Sequence, residues 1–127
     1  ELSRIMLALK GILAQGDRVS VLVFDEIDAN VGGRLGSVIG SKLRHLADRH
    51  QVLCITHLPQ VAAMGDHHWQ VSKKNGQQAD QTLISRIHHL DQAGRIDEIA
   101  RMLGGEKLTA TTRKHAKEML GDHAALK

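Results

Sequence analysis

The run Val21-Leu22-Val23-Phe24-Asp25-Glu26 constrains the fold of this chain more than any other segment, because four successive apolar side chains end abruptly in two carboxylates. So short a run, rich in β-branched and aromatic residues and followed by Gly-rich sequence, predicts a strand buried on both faces of a parallel sheet. Asp25 and Glu26 then sit at its C-terminal end. Ligands of open α/β sheets bind at that edge, so an Asp-Glu pair there is placed to hold a metal ion and activate a water. The plainer alternative is an acidic residue that only caps the next turn or helix.

A second apolar run, Val52-Leu53-Cys54-Ile55-Thr56, ends in His57 and Leu58-Pro59-Gln60. Between the two runs Leu35, Val38, Ile39, Leu43, Leu46 and Ala47 recur at helical spacing, with Lys42, Arg44, Asp48 and Arg49 off that stripe. The pattern is strand, helix, strand. A right-handed crossover returns the second strand parallel to the first and delivers His57 to the sheet edge that carries Asp25 and Glu26.

These residues fall in a known order. Glu1-Leu2-Ser3-Arg4, the Val21–Glu26 run, Asp28-Ala29-Asn30-Val31-Gly32-Gly33 and Ile55-Thr56-His57 resemble the second half of an ABC-type ATPase head, in its structural-maintenance-of-chromosomes (SMC) branch. There the order is signature motif, Walker B, D-loop and switch histidine. Thr56-His57-Leu58-Pro59-Gln60-Val61-Ala62 and Ile99-Ala100-Arg101-Met102-Leu103-Gly104-Gly105 are similar to a bacterial DNA-repair member of that branch. The resemblance implies an α/β fold, the C-terminal lobe of a P-loop ATPase head, with parallel strands and flanking helices, then a short hairpin and two C-terminal helices. It implies ATP and Mg2+ as cofactors, with Asp25 orienting the metal through water, Glu26 aligning or deprotonating the attacking water, and His57 contacting the γ-phosphate. Glu1, Leu2, Ser3 and Arg4 of the signature, and Asp28, Asn30, Gly32 and Gly33 of the D-loop, are implied nucleotide or cross-dimer contacts. The implied partners are the N-terminal half of the same head, a second head and DNA, in double-strand-break repair. Two features depart from the pattern: Gly32 stands where many members carry Asp, and the Ser-Gly-Gly that precedes the signature Glu lies ahead of Glu1, where this chain begins.

No G-x-x-x-x-G-K-[ST] occurs in the chain, and the cluster Gly32, Gly33, Gly36 and Gly40 has no adjoining Lys-Ser or Lys-Thr. Without that cradle of backbone N–H groups and its Lys the phosphates have no seat. In the resembling class the phosphate loop lies in the N-terminal half of a longer chain, so residues 1–127 are expected to be a fragment, half of one head.

The rest of the composition fits a soluble intracellular domain, and the resemblance implies a cytoplasmic, nucleoid-associated protein. No apolar run approaches the ~20 residues that cross a bilayer. Glu1 opens an amphipathic helix with Leu2, Ile5, Met6, Leu9, Ile12 and Leu13 on one face, unlike a signal peptide. Cys54 is the sole cysteine and reads as core packing. A net charge of +3 is too small to argue for nucleic acid, and 2% aromatic content argues against base-stacking platforms. Lys73-Lys74 and Arg113-Lys114-Lys117 read as solvated charge before they read as phosphate contacts, and His67-His68 and His88-His89 offer one ligand per strand face at best.

Trp69–Ser72 and Thr82–Ile87 predict strands joined around Asn75-Gly76. A helix bearing Ile96, Ile99, Ala100 and Leu103 should end at Gly104-Gly105. Another should run from an N-cap at Thr109 to Gly121, with the tail from Asp122 frayed. Two other readings remain. Asp25-Glu26-Ile27-Asp28 fits the D-E-x-D of a helicase, which expects a Ser-Ala-Thr type motif where this chain has Ile55-Thr56-His57. A non-catalytic dimerisation module would keep the fold without the chemistry, against which Glu26 and His57 argue.

Overall fold

The computed structural model describes residues 2–13, 19–75, 83–105 and 107–124. The chain divides into two compact units, Glu1–Gly65 with Lys117–Lys127, and Asp66–Ala116.

In the first unit the expected strand, helix, strand is present. Strand β1 (Val21–Asp25) pairs in parallel with β2 (Gln51–Ile55), Val21 beside Gln51 and Asp25 beside Ile55. Helix α1 (Leu2–Leu13) precedes the pair, α2 (Gly33–Ala47) forms the crossover, and the short α3 (Pro59–Ala62) follows β2. Leu22 and Phe24 of β1 join Leu7 of α1, Ile39, Leu43 and Leu46 of α2, and Ile27, Val31 and Val61 in one core, with Val52, Cys54 and Leu58 packed against it. Each such side chain taken fully out of water contributes about 1.5 to 3 kcal/mol. Burial holds the Cys54 thiol up at about 12, and the charges of Asp28 and Asp25 add to that shift.

Three expectations about faces are corrected. β1 is buried on one face only: Val21 and Val23, with Leu53 and Ile55 beside them on β2, are about half exposed or more. Both α1 and α2 contribute to the core on the Leu22–Phe24 side, so the opposite face of this strand pair is bare among the described residues. On α1 the buried side chain is Leu7, while Ile5, Met6 and Leu9 of the expected stripe are exposed. At 100° per residue Leu7 lies roughly opposite them. On α2, Leu35 and Val38 are exposed, and Gly36 and Gly40 take their place in the buried face beside Ile39, Leu43 and Leu46. Those glycines admit the segment that follows β2: a Cβ on Gly40 would stand 3.0 Å from the Gln60 carbonyl oxygen, and one on Gly36 would stand 2.8 Å from Leu58 Cδ1.

In the second unit β3 (Trp69–Asn75) pairs antiparallel with β4 (Leu83–His89), each running past its expected C-terminal end, Ser72 and Ile87 respectively. Gly76 of the expected Asn75-Gly76 turn, and Thr82, lie outside the described residues. Helix α4 (Gln92–Gly104) starts at Asp91, whose carboxylate accepts the Gly94 N–H at 2.7 Å, and ends where Gly105 takes φ 75°. Glu98, buried on α4, accepts from the Arg101 guanidinium and from Gln70 Nε2 at 2.6 Å. The Arg101 hydrogen bond is the main reason its carboxyl lies below the ordinary value.

Helix α5 (Ala110–Ala124) opens at Thr109, whose hydroxyl accepts the Thr112 N–H at 3.1 Å. It continues through Gly121 to Ala124 rather than stopping there. A glycine inside a helix costs only about 1 kcal/mol, which its neighbours outweigh. No helix among the described residues is long and apolar enough to cross a membrane.

Candidate functional site

The parallel register sets the geometry of the site. Asp25 closes β1 beside Ile55, the last residue of β2, so Glu26 and His57 follow from neighbouring strand ends at one rim. Asp25 and Glu26 are exposed, and the His57 side chain is 64% exposed. Glu26 holds φ 47°, left-handed backbone that costs a residue with a Cβ about 1 to 2 kcal/mol. That conformation turns the chain straight off the strand. Ala29 N–H then donates to Glu26 O and Val31 N–H to Asp28 O, both at 3.1 Å, which makes two successive tight turns. Asn30, at φ 59°, tolerates its left-handed position better than most residues.

The turns drive Ile27 and Asp28 inward, and both are 0% exposed. Asp28, expected as a surface contact of the D-loop, is therefore an internal residue. Its Oδ2 accepts the Thr56 hydroxyl, the His57 N–H at 3.0 Å and the Leu58 N–H at 3.1 Å, and lies 3.4 Å from His57 Nδ1. Its Oδ1 is buried without a described partner. Burial alone would raise this carboxyl, but hydrogen bonds from Thr56, its own backbone, His57 and Leu58 outweigh burial and hold it below the ordinary value.

Arg4, expected as a nucleotide contact, reaches inward as well. Its Nε donates to Ile27 O at 3.2 Å and its NH2 group to Ala29 O. Leu2 and Ser3 lie in the first turn of α1, with side chains outside the described set, and Glu1 lies outside the described residues. Gly32 is the exposed residue before α2, at φ −81° with nothing within 4 Å of a Cβ, so neither backbone nor space demands glycine there. Gly33 does meet a neighbour: a Cβ on it would stand 2.9 Å from Gln60 Nε2.

The rim thus presents two carboxylates and an imidazole to solvent, a donor set that suits a hard divalent cation and an anionic oxygen ligand. Sequence reasoning missed Thr56 and the inward role of Arg4. The Thr-His-Leu-Pro-Gln segment carried the signal for Thr56, since a hydroxyl just ahead of a buried carboxylate's backbone partners is a ready third donor. No group of three or more metal-ligating side chains lies together among the described residues.

No family model matches the chain. Curated relatives do: the DNA repair protein RecN of Halalkalibacterium halodurans is 45% identical over 94% of this chain, and those of Bacillus subtilis and Haemophilus influenzae are each 42% identical over the same share. The chain spans only about a fifth of the length of these relatives, 21%, 20% and 21% respectively. A solved structure from work on the ATP-driven dimerization and DNA-stimulated activation of SMC ATPases matches with a TM-score of 0.60 at 16% identity, over 83% of this chain and 61% of that one. At that identity the likeness bears on the fold alone, the α/β fold that this chain shares with that structure. Over nearly its whole length, then, the chain is a RecN-like sequence corresponding to about a fifth of that DNA repair protein.

Proposed function

We propose that residues 1–127 form the C-terminal half of the ATPase head of a RecN-like DNA repair protein, with Asp25, Glu26 and His57 as its hydrolytic residues. The observation that carries this reading is the common rim, where the parallel register sets the two carboxylates and the histidine on adjacent strand ends. Asp25 would hold Mg2+, which would neutralise phosphate charge there. Glu26 accepts the proton of the attacking water or aligns it, and its exposure leaves it open to solvent. His57 meets the terminal phosphate of ATP.

The bare sheet face bearing Val21, Val23, Leu53 and Ile55 fits a further layer, since parallel sheets are covered on both faces in folded proteins. We assign that place to the N-terminal half of the same head, which would bring the phosphate loop. A second head and DNA complete the set of partners, in a cytoplasmic, nucleoid-associated setting. The helicase reading is disfavoured because the relatives that match are RecN proteins.

The test is Glu26→Gln in the full-length protein, a change that keeps size and removes basicity. Hydrolysis should fall by roughly 10²- to 10⁴-fold with ATP affinity little changed. Asp25→Asn should instead weaken Mg2+ and nucleotide retention together. Wild-type turnover by Glu26→Gln would refute the assignment.

A further inference from the structure

Asp28 lies beneath the rim, fully buried, yet it is neither an apolar core residue nor one of the groups that face a ligand. A carboxylate withdrawn from water costs several kcal/mol unless donors satisfy it. Here the donors all come from the segment that carries His57: the Thr56 hydroxyl, the His57 N–H and the Leu58 N–H converge on Oδ2. The same oxygen stands 3.4 Å from Nδ1 of the His57 ring. On the other side, the carbonyls of Ile27 and Ala29 that flank Asp28 are both taken by the Arg4 guanidinium of α1.

We propose that Asp28 is a positioning residue for His57, and that Arg4, by spanning the carbonyls on either side of Asp28, ties the seat of that histidine to helix α1. The proposal rests on the reading of Asp25, Glu26 and His57 as a hydrolytic site, and it adds a route through one buried carboxylate.

Two effects follow from the geometry. Three donors on one oxygen fix the backbone at His57, so the ring leaves the loop at a set position. A carboxylate facing Nδ1 also selects the imidazole form with its proton on that nitrogen and leaves Nε2 for a ligand. A neutral ring of that form offers Nε2 as an acceptor, so donation to an anionic phosphate there takes a second proton on the ring, with the Asp28 carboxylate 3.4 Å behind Nδ1. Asp28 thus supports the histidine mechanically and electrostatically, without touching the ligand.

Asp28→Asn separates the two effects. The side-chain oxygen of Asn can take the place of Oδ2 and keep the three donors, while its NH2 group occupies the position of Oδ1, which has no described partner to lose. The full-length protein is assayed for ATP turnover and ATP affinity, together with the thermal melt and the ring ¹⁵N resonances of His57. The expected result is a melt lowered by a few degrees, KM for ATP within about threefold, kcat lowered about 10- to 100-fold, and a His57 Nδ1 resonance shifted because its acceptor has lost its charge. Arg4→Lys, which cannot span two carbonyls, should lower kcat in the same direction by less. If Asp28→Asn does not fold, Thr56→Val removes one donor to the same oxygen at constant shape and should lower kcat with KM for ATP within about threefold, the carboxylate still facing Nδ1.

Wild-type kcat with an unchanged His57 signature would overturn the proposal. So would a loss of kcat matched by losses in melting temperature and ATP affinity, the mark of a residue that only holds the fold. Absent ATPase activity in the unmodified protein, or wild-type turnover by His57→Ala, would sink the reading of the site itself and this proposal with it.

Discussion

Glu26 is required by its place at the strand end to do two incompatible things. Its carboxylate has to reach solvent at the rim, and its backbone has to take left-handed φ so that Ile27 and Asp28 turn inward. A glycine would satisfy the backbone and remove the carboxylate proposed to activate water. Glu26→Gly is therefore expected to raise stability by about 0.5 to 1 kcal/mol, the left-handed penalty less the entropy of a freer unfolded chain, while hydrolysis by the full-length protein is lost. A chemical denaturation series comparing Glu26→Gly with Glu26→Ala checks this, since alanine keeps the penalty. Equal midpoints would show that no strain is held there. Asp28 carries the other residue-scale lesson. An Asp three residues past a strand, amid turn-forming neighbours, reads as a surface group in any sequence. Only the convergence of Thr56, His57 and Leu58, about thirty residues away in the chain, shows that it faces inward.

At the scale of elements, α2 and the segment after β2 approach closely because Gly36 and Gly40 present no side chains between them. The two positions differ in what an added methyl would strike. At Gly40 it meets the Gln60 carbonyl and Met64 Cγ, both at 3.0 Å, whereas at Gly36 it meets the movable tip of Leu58. Gly40→Ala should cost about 1 kcal/mol net, overpacking less the gain in helix propensity, and Gly36→Ala should be close to neutral. Thermal melts of the two variants measure the difference; the reverse order would show that the backbone contact yields more easily than the side chain.

The elements themselves were legible: both apolar runs became strands, the 3.6-residue stripe between them became α2, and Thr109 and Gly105 became caps. What the sequence did not disclose was which face each element buries. The period of Ile5, Met6 and Leu9 announces a helix with an apolar side, but the described core happens to take Leu7 on the other side. A hydrophobic stripe says that something covers it and leaves open whether the cover lies in the same stretch of chain.

For the molecule as a whole, the uncovered strand face and the α1 stripe leave Val23, Ile55, Ile5 and Leu9 between 48% and 65% exposed. Exposed apolar surface and an open strand edge favour association. The 127 residues by themselves should therefore self-associate at high concentration, and should neither bind ATP tightly nor hydrolyse it, since no phosphate loop is present in the sequence. Val23→Thr with Ile55→Thr, on the bare face, should reduce the association seen by light scattering. A clean monomer of the unmodified chain at high concentration would contradict this account of the face.

The half-buried Cys54 provides a clock for that same sheet. It is the chain's sole thiol, and burial together with Asp28 and Asp25 holds it at about 12 against an ordinary 9.0. A thiol reacts as its thiolate, so in the closed sheet it should be alkylated roughly a thousandfold more slowly than in the open chain. Labelling at Cys54 then times how often β2 comes away from β1. Any ligand or partner that steadies the strand ends bearing Asp25 and His57 would register as a slower rate of modification, without a dye or a substituted residue.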